Sequence, residues 1–260
     1  MRYTQALASF ATVALLALSM SVPAQQPSGL PDVVGIRPGM SAQEAYNILK
    51  ARSNGAKVGV AQAMLTGISQ PVAVIMSVQA MGTSPAEVIT VWLTFPPEKQ
   101  VVWGIRRTLN FEAGKEPTRA AIMDGLRQKY GPEIHGGIDY WDFDEQGGHP
   151  SVKDMTFNHC AGQMDLSQPQ DPANPQPTTP LINAYLGPLN ACSNIISVRT
   201  EISRASNGSN ELAGGVTVML EDTPIARRSR DAYQSLVNKA ADAAHKQQID
   251  NANQQKKPVF

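Results

Sequence analysis

The stretch EVITVWLTFPPEKQVVWGIRRTLNF, residues 87–111, decides how the rest of the chain is read. Ile89, Val91, Leu93 and Phe95 alternate with Val88, Thr90, Trp92 and Thr94, the period of two that an extended strand imposes on its side chains. Beyond the short turn Pro96-Pro97-Glu98-Lys99, the residues Val101, Trp103, Ile105, Leu109 and Phe111 are expected to share a face. Together the two runs, about 87–95 and 100–111, make an antiparallel hairpin with one apolar face. Two further strand-like runs precede it, at about 57–65 and 72–80.

Helix signals flank these strands. Arg37-Pro38-Gly39-Met40 forms a turn, and Ser41 with Glu44 completes a capping box, with Met40 as the apolar staple ahead of it. The helix runs to about Arg52, buries Ala45, Ile48 and Leu49, and stops near Gly55. A second helix opens at Thr118 after Pro117 and carries Ala121, Ile122, Leu126 and Tyr130 at helical spacing before Gly131-Pro132.

A strand at 138–143 follows, with Gly147-Gly148 as its turn, then proline-rich loop material to about residue 190. Strands near 195–203 and 215–221 flank the turn signal Asn207-Gly208. Thr223-Pro224 opens a last helix through Ala232, Leu236, Val237, Ala240 and Ala244 to around Ile249, with a frayed tail over 251–260. The repeated order of helix and sheet predicts an α+β fold of two tandem units of helices packed on antiparallel sheet, 33–115 and 116–250, with the C-terminal helix closing the second.

The N-terminus carries an address. Met1-Arg2 supplies a positive start, the run from Ala6 to Met20 is mostly apolar, and Val22-Pro23-Ala24 offers a small-residue cleavage site. Residues 1–24 read as a signal peptide and 25–32 as a flexible lead-in, which places the mature chain in the periplasm or outside the cell with no transmembrane helix after cleavage. No cysteine stands near the cleavage site to accept a lipid.

The 22 basic and 22 acidic residues cancel, so neither nucleic acid nor a polycation is indicated as a partner. Cys160 and Cys192 are the only cysteines, and an even pair in an exported chain reads as a disulfide. It closes a loop whose segment 165–180 holds prolines at 169, 172, 175, 177 and 180, which prevent regular structure.

Catalytic signatures are not evident. His135, His149, His159 and His245 are the only histidines, and no serine sits in a Gly-x-Ser-x-Gly turn. The densest set of possible metal ligands is Asp139, Asp142, Asp144 and Glu145 with His135 and His149, but it lacks the spacing of a calcium loop. Asp142 and Asp144 are expected on a solvated strand face, with Trp141 and Phe143 pointing the other way. No cofactor or metal site is therefore assigned from the sequence.

For partner binding, the candidate surface is the concave sheet face and hairpin edge carrying Trp92, Trp103, Arg106 and Trp141. The competing expectation is that Trp92 packs beneath a helix. Arg227 and Arg228 fall in the first turns of the last helix, where positive charge opposes the macrodipole, and this points to an acidic partner or a lipid headgroup.

The entrance Pro38-Gly39-Met40-Ser41-Ala42-Gln43-Glu44 resembles the Gly-Met-Ser/Thr-x-x-Glu signature of the BamE/OmlA group of outer-membrane assembly lipoproteins. The exit Lys129-Tyr130-Gly131-Pro132 and the Trp141-containing strand are similar to that group's second motif. The group shares a helix-pair-on-antiparallel-sheet fold with β-lactamase inhibitor proteins; this chain departs from the lipoprotein group in lacking the lipid-acceptor cysteine and in its greater length. The Gly-x-Arg-Pro-Gly-Met-Ser turn at 35–41 also resembles that of exported bacterial proteins. The resemblance implies a non-enzymatic binding or assembly module of the cell envelope whose partner is an envelope or secreted protein. Its alternatives are a secreted inhibitor of an extracellular enzyme and a metal-dependent enzyme of unfamiliar type.

Reduction of the Cys160–Cys192 bridge is expected to lower stability by about 3 to 4 kcal/mol. Urea unfolding with and without dithiothreitol measures this, and identical midpoints contradict the bridge.

Overall fold

A computed structural model describes residues 29–80, 82–133, 140–149, 169–176 and 195–254. The signal peptide, Asp139, His135, His159, Cys160, Cys192 and the last residues of the tail lie outside the described residues. In chain order the elements are α1 (Ala42–Arg52), β1 (Gly59–Ala63), β2 (Val72–Gln79), β3 (Ala86–Leu93), β4 (Val102–Asn110), α2 (Arg119–Tyr130), β5 (Tyr140–Phe143), β6 (Ile196–Arg204), β7 (Ala213–Asp222) and α3 (Thr223–Gln254).

All seven strands belong to one sheet in the order β1-β2-β3-β4-β7-β6-β5, with every neighbouring pair antiparallel. The expectation of two tandem helix-on-sheet units is thereby corrected. β4 pairs with β7 from Gly104↔Glu221 to Asn110↔Gly215, so the last strand of the first run and the last strand of the second are hydrogen-bonded neighbours. The order of elements along the chain does not reveal which edges pair. An apolar strand such as β4 is stabilised by a neighbour on its open edge, wherever that neighbour lies in sequence.

Both faces of the sheet are buried, against the expectation of a hairpin with one apolar face. Ile89, Val91, Leu93, Ile105, Trp141, Val198 and Leu220 lie on the face covered by Ala45 and Leu49 of α1, with Ile122, Met123 and Leu126 of α2 packed against it. Ile75, Trp92, Phe95, Trp103 and Met219 belong to the opposite core, covered in part by Ala226 and Tyr233 of α3. Trp103 does not share a face with Ile105. Trp92 pairs with Gly104 and Leu93 with Val102, so Trp103 is the extra residue of a β-bulge and is re-aimed to the α3 side.

The helix entrances follow local chemistry. Ser41 Oγ accepts the Glu44 N–H at 3.3 Å while Glu44 Oε2 accepts the Ser41 N–H at 3.0 Å, closing the capping box that starts α1. Thr118 caps α2 by accepting the Ala121 N–H at 3.1 Å. The start of α2 is tied to β7 and the residues just before it by Arg119 N–H to Glu211 O at 2.8 Å and Ala213 N–H to Pro117 O at 2.9 Å. Glu87 on β3 accepts from Arg107 Nε on β4 at 2.6 Å and from Arg52 Nη2 at the end of α1 at 3.1 Å, pinning that helix to the sheet. α3 runs on to Gln254, beyond the expected fraying point.

One contact seats α3. Ser229 Oγ accepts the Phe95 N–H at 2.9 Å and donates to Phe95 O at 3.1 Å, and both groups are buried. Ser229→Ala removes both of these buried bonds, and we expect it to cost about 1 to 3 kcal/mol in urea unfolding. A loss under about 0.5 kcal/mol, the scale of an ordinary surface substitution, contradicts this role.

Candidate functional site

Two cross-strand rows cross the α3-side face. One runs Ile75, Trp92, Gly104, Glu221, Ser197, Asp142, and the next runs Ser77, Thr90, Arg106, Met219, Arg199, Tyr140, each residue directly opposite the next. Directly opposed residues share a face, so register alone gathers polar groups from six strands onto one surface. The three tryptophans are core residues, with Trp92 and Trp141 fully buried and Trp103 only 2 % exposed. Trp92 and Trp103 lie together with ring centroids 6.4 Å apart, whereas Trp141 is on the opposite face and donates its indole N–H to Gly131 O at 2.8 Å. Arg106 is half-buried on the Trp92 side, so the structure brings together Trp92, Trp103 and Arg106 but not Trp141.

Asp142 is 1 % exposed, which corrects the expectation of a solvated strand face. Its Oδ1 accepts the hydroxyl of the opposing Ser197 at 2.7 Å, a buried bond that takes the place of water. Glu221 and Asp222, at the end of β7, are buried as well. Asp222 rather than Thr223 caps α3, accepting the Ile225 N–H at 2.7 Å. Burial pushes its carboxyl up to about 6, opposed by the Ile225 N–H bond and Arg228 and reinforced by Glu145.

The acidic turn after β5 packs against this helix start. Asp144 Oδ1 accepts the N–H groups of Gln146 at 2.9 Å and Gly148 at 2.8 Å and so closes its own turn. Glu145 meets Arg228 at 3.3 Å, so the helix-start arginine finds its acidic partner within the chain. His149 Nδ1 lies 3.0 Å from Asp142 O, and its ring sits 4.8 Å from that of Phe143. His245 is exposed on α3. Among the described residues no group of three or more His, Cys, Asp or Glu side chains is placed to hold a metal ion, and no helix is long and apolar enough to cross a membrane.

The buried set Ser197, Glu221 and Asp222 was not singled out from sequence. The available signal was an acidic pair ending an apolar strand immediately before Thr-Pro, a pattern in which the last acid caps the helix. No family model, curated protein or solved structure matches the chain.

Because the folded-state pKa of Asp222 is raised from 3.8 to about 6, its contribution is fully present below about pH 3.8 and is lost as pH climbs through about 6. The loss amounts to about 2 to 3 kcal/mol. Asp222→Asn keeps an acceptor for the Ile225 N–H and is expected to remove that loss. Urea unfolding at a series of pH values checks it: the gap between variant and wild type widens in the variant's favour from pH 4 to 7, and a constant gap contradicts the assignment.

Proposed function

We propose that this chain is an exported, non-enzymatic protein-binding module of the bacterial cell envelope. The observation that carries this reading is the outer part of α3, residues 238–254, each of which is exposed. At about 1.5 Å per residue it extends for about 25 Å. A helix of this length has marginal stability by itself in water, and a partner surface is the ordinary source of the rest.

The composition of the arm favours a protein over a lipid surface. Lys239, Asp242, Lys246 and Asp250 alternate in sign along it, and Ile249 is its only large apolar side chain. A membrane-lying helix carries a broad apolar face and an excess of basic residues instead. The N-terminal export signature supports the envelope setting.

The engagement of the chemistry-bearing groups supports binding over catalysis. Asp142 is held by Ser197, Glu87 by two arginines, Asp144 by its own turn, and Asp222 by the helix it caps. Such contacts orient side chains for structure and reduce their freedom to meet a substrate.

A chain ending at Lys239 is expected to keep its unfolding free energy within about 0.5 kcal/mol, because only exposed residues are removed from the described part. Crosslinking in the native envelope should recover a stoichiometric protein partner with the full chain and lose it with the shortened one. The same captured set with both chains contradicts the arm as the binding element.

A further inference from the structure

The proline-rich segment bears directly on the sheet. Pro169, Pro172 and Pro175 are spaced three apart; Pro172 and Pro175 are buried and Pro169 half-buried, while the residues between them are exposed. The segment carries its own turn: the Asn174 N–H reaches Asp171 O at 3.2 Å, and Asp171 Oδ1 accepts the N–H groups of Ala173 at 2.9 Å and Asn174 at 3.3 Å. Aspartate first and proline second is the chemistry that pre-sets a tight turn. Its shape is therefore largely local.

The seat is a single cross-strand pair. Gly59 on β1 lies directly opposite Ser77 on β2. The Ser77 hydroxyl donates to Pro172 O at 2.6 Å in a buried bond. A Cβ at Gly59 would overlap Pro172 O and Pro175 Cδ and come 2.7 Å from Ala173 C. Glycine within a strand marks such close approach of another backbone.

The same row offers more than this segment uses. Thr90 is the residue opposite Ser77, and Trp92 follows two residues along β3 on the same face. Among the described residues, Thr90 Oγ1 and Trp92 Nε1 are buried with no hydrogen-bond partner. Buried donors of this kind are rare and mark a place where an acceptor belongs. Beside the turn lies an open cavity of about 500 Å³ lined by Ala56, Lys57, Gln79, Thr83, Asp171 and Ala173.

We propose that the Gly59–Ser77 seat is a receptor for proline-containing turns, occupied in cis by residues 169–176, and that a proline-containing turn of a partner protein displaces them and places carbonyl acceptors at Thr90 and Trp92. This rests on the protein-binding reading but concerns a surface separate from the helical arm. The internal segment competes as a tethered ligand at high effective concentration, so the open seat binds in trans more tightly than the occupied one.

The test uses a fluorescein-labelled synthetic peptide with the sequence of residues 169–176 and the full chain, with binding followed by fluorescence anisotropy. In the double variant Pro172→Ser, Pro175→Ser, with folding verified by circular dichroism and cooperative urea unfolding, the peptide is expected to bind at least about ten-fold more tightly than to wild type. Adding Ser77→Ala should reverse that gain, and binding should change the fluorescence of Trp92, assigned with a Trp92→Phe control. A folded double variant that binds the peptide no better than wild type overturns the seat, as does a gain indifferent to Ser77→Ala. Either result leaves the crosslinking outcome for the arm standing, so failure of the seat and failure of the binding reading are told apart.

Discussion

The rest of the structure depends on the β4–β7 ladder. Seven consecutive residues of β4, Gly104 to Asn110, face seven of β7, Glu221 to Gly215, and this seam joins strands separated by more than a hundred residues. Without it the chain has two smaller sheets, each with an open apolar edge of the kind that promotes association. With it, Ile105 and Leu220 become cross-strand neighbours on the face that α1 and α2 cover. The ladder also aligns Trp92 from one half with Glu221, Ser197 and Asp142 from the other, and Thr90 with Met219, Arg199 and Tyr140.

A sheet buried on both sides imposes a second constraint: every polar side chain on those faces needs a partner. Glu87 meets this with two guanidinium groups, Asp142 with the Ser197 hydroxyl, and Asp222 with a helix N–H. Among the described residues, Thr90 Oγ1 and Trp92 Nε1 find no partner. The exposed outer part of α3 and these two under-satisfied side chains are places where the described structure departs from self-sufficiency. Natural chains tolerate such departures mainly at functional positions.

Much of the local structure was legible in the sequence because it is written in local chemistry. Ser41 and Glu44 announced α1, Thr118 announced α2, and the alternation around Val91 announced β3, all interactions between residues a few positions apart. What was not legible depends on long-range pairing. The β4–β7 seam has no signature in spacing, and so the element order suggested two units where there is one sheet. The bulge at Trp103 changes which face that residue serves by a single extra position, and a period-two pattern drawn through Val101, Trp103 and Ile105 cannot anticipate it. The burial of Asp142 likewise follows from β5 pairing with β6, which brings Ser197 opposite. For the site, Arg228 was recognisable as a charge in an unfavourable place, but its partner Glu145 is 83 residues away.

Native-state hydrogen exchange on the full chain tests the central claim most directly, that the β4–β7 seam makes one cooperative unit. The slowest amides of β3, β4, β7 and β6 are expected to exchange with one common free energy equal to that of global unfolding. One cooperative unit is contradicted if the 59–110 strands keep full protection while the 196–222 strands open at a markedly lower free energy, because the two halves would then fold as separate units.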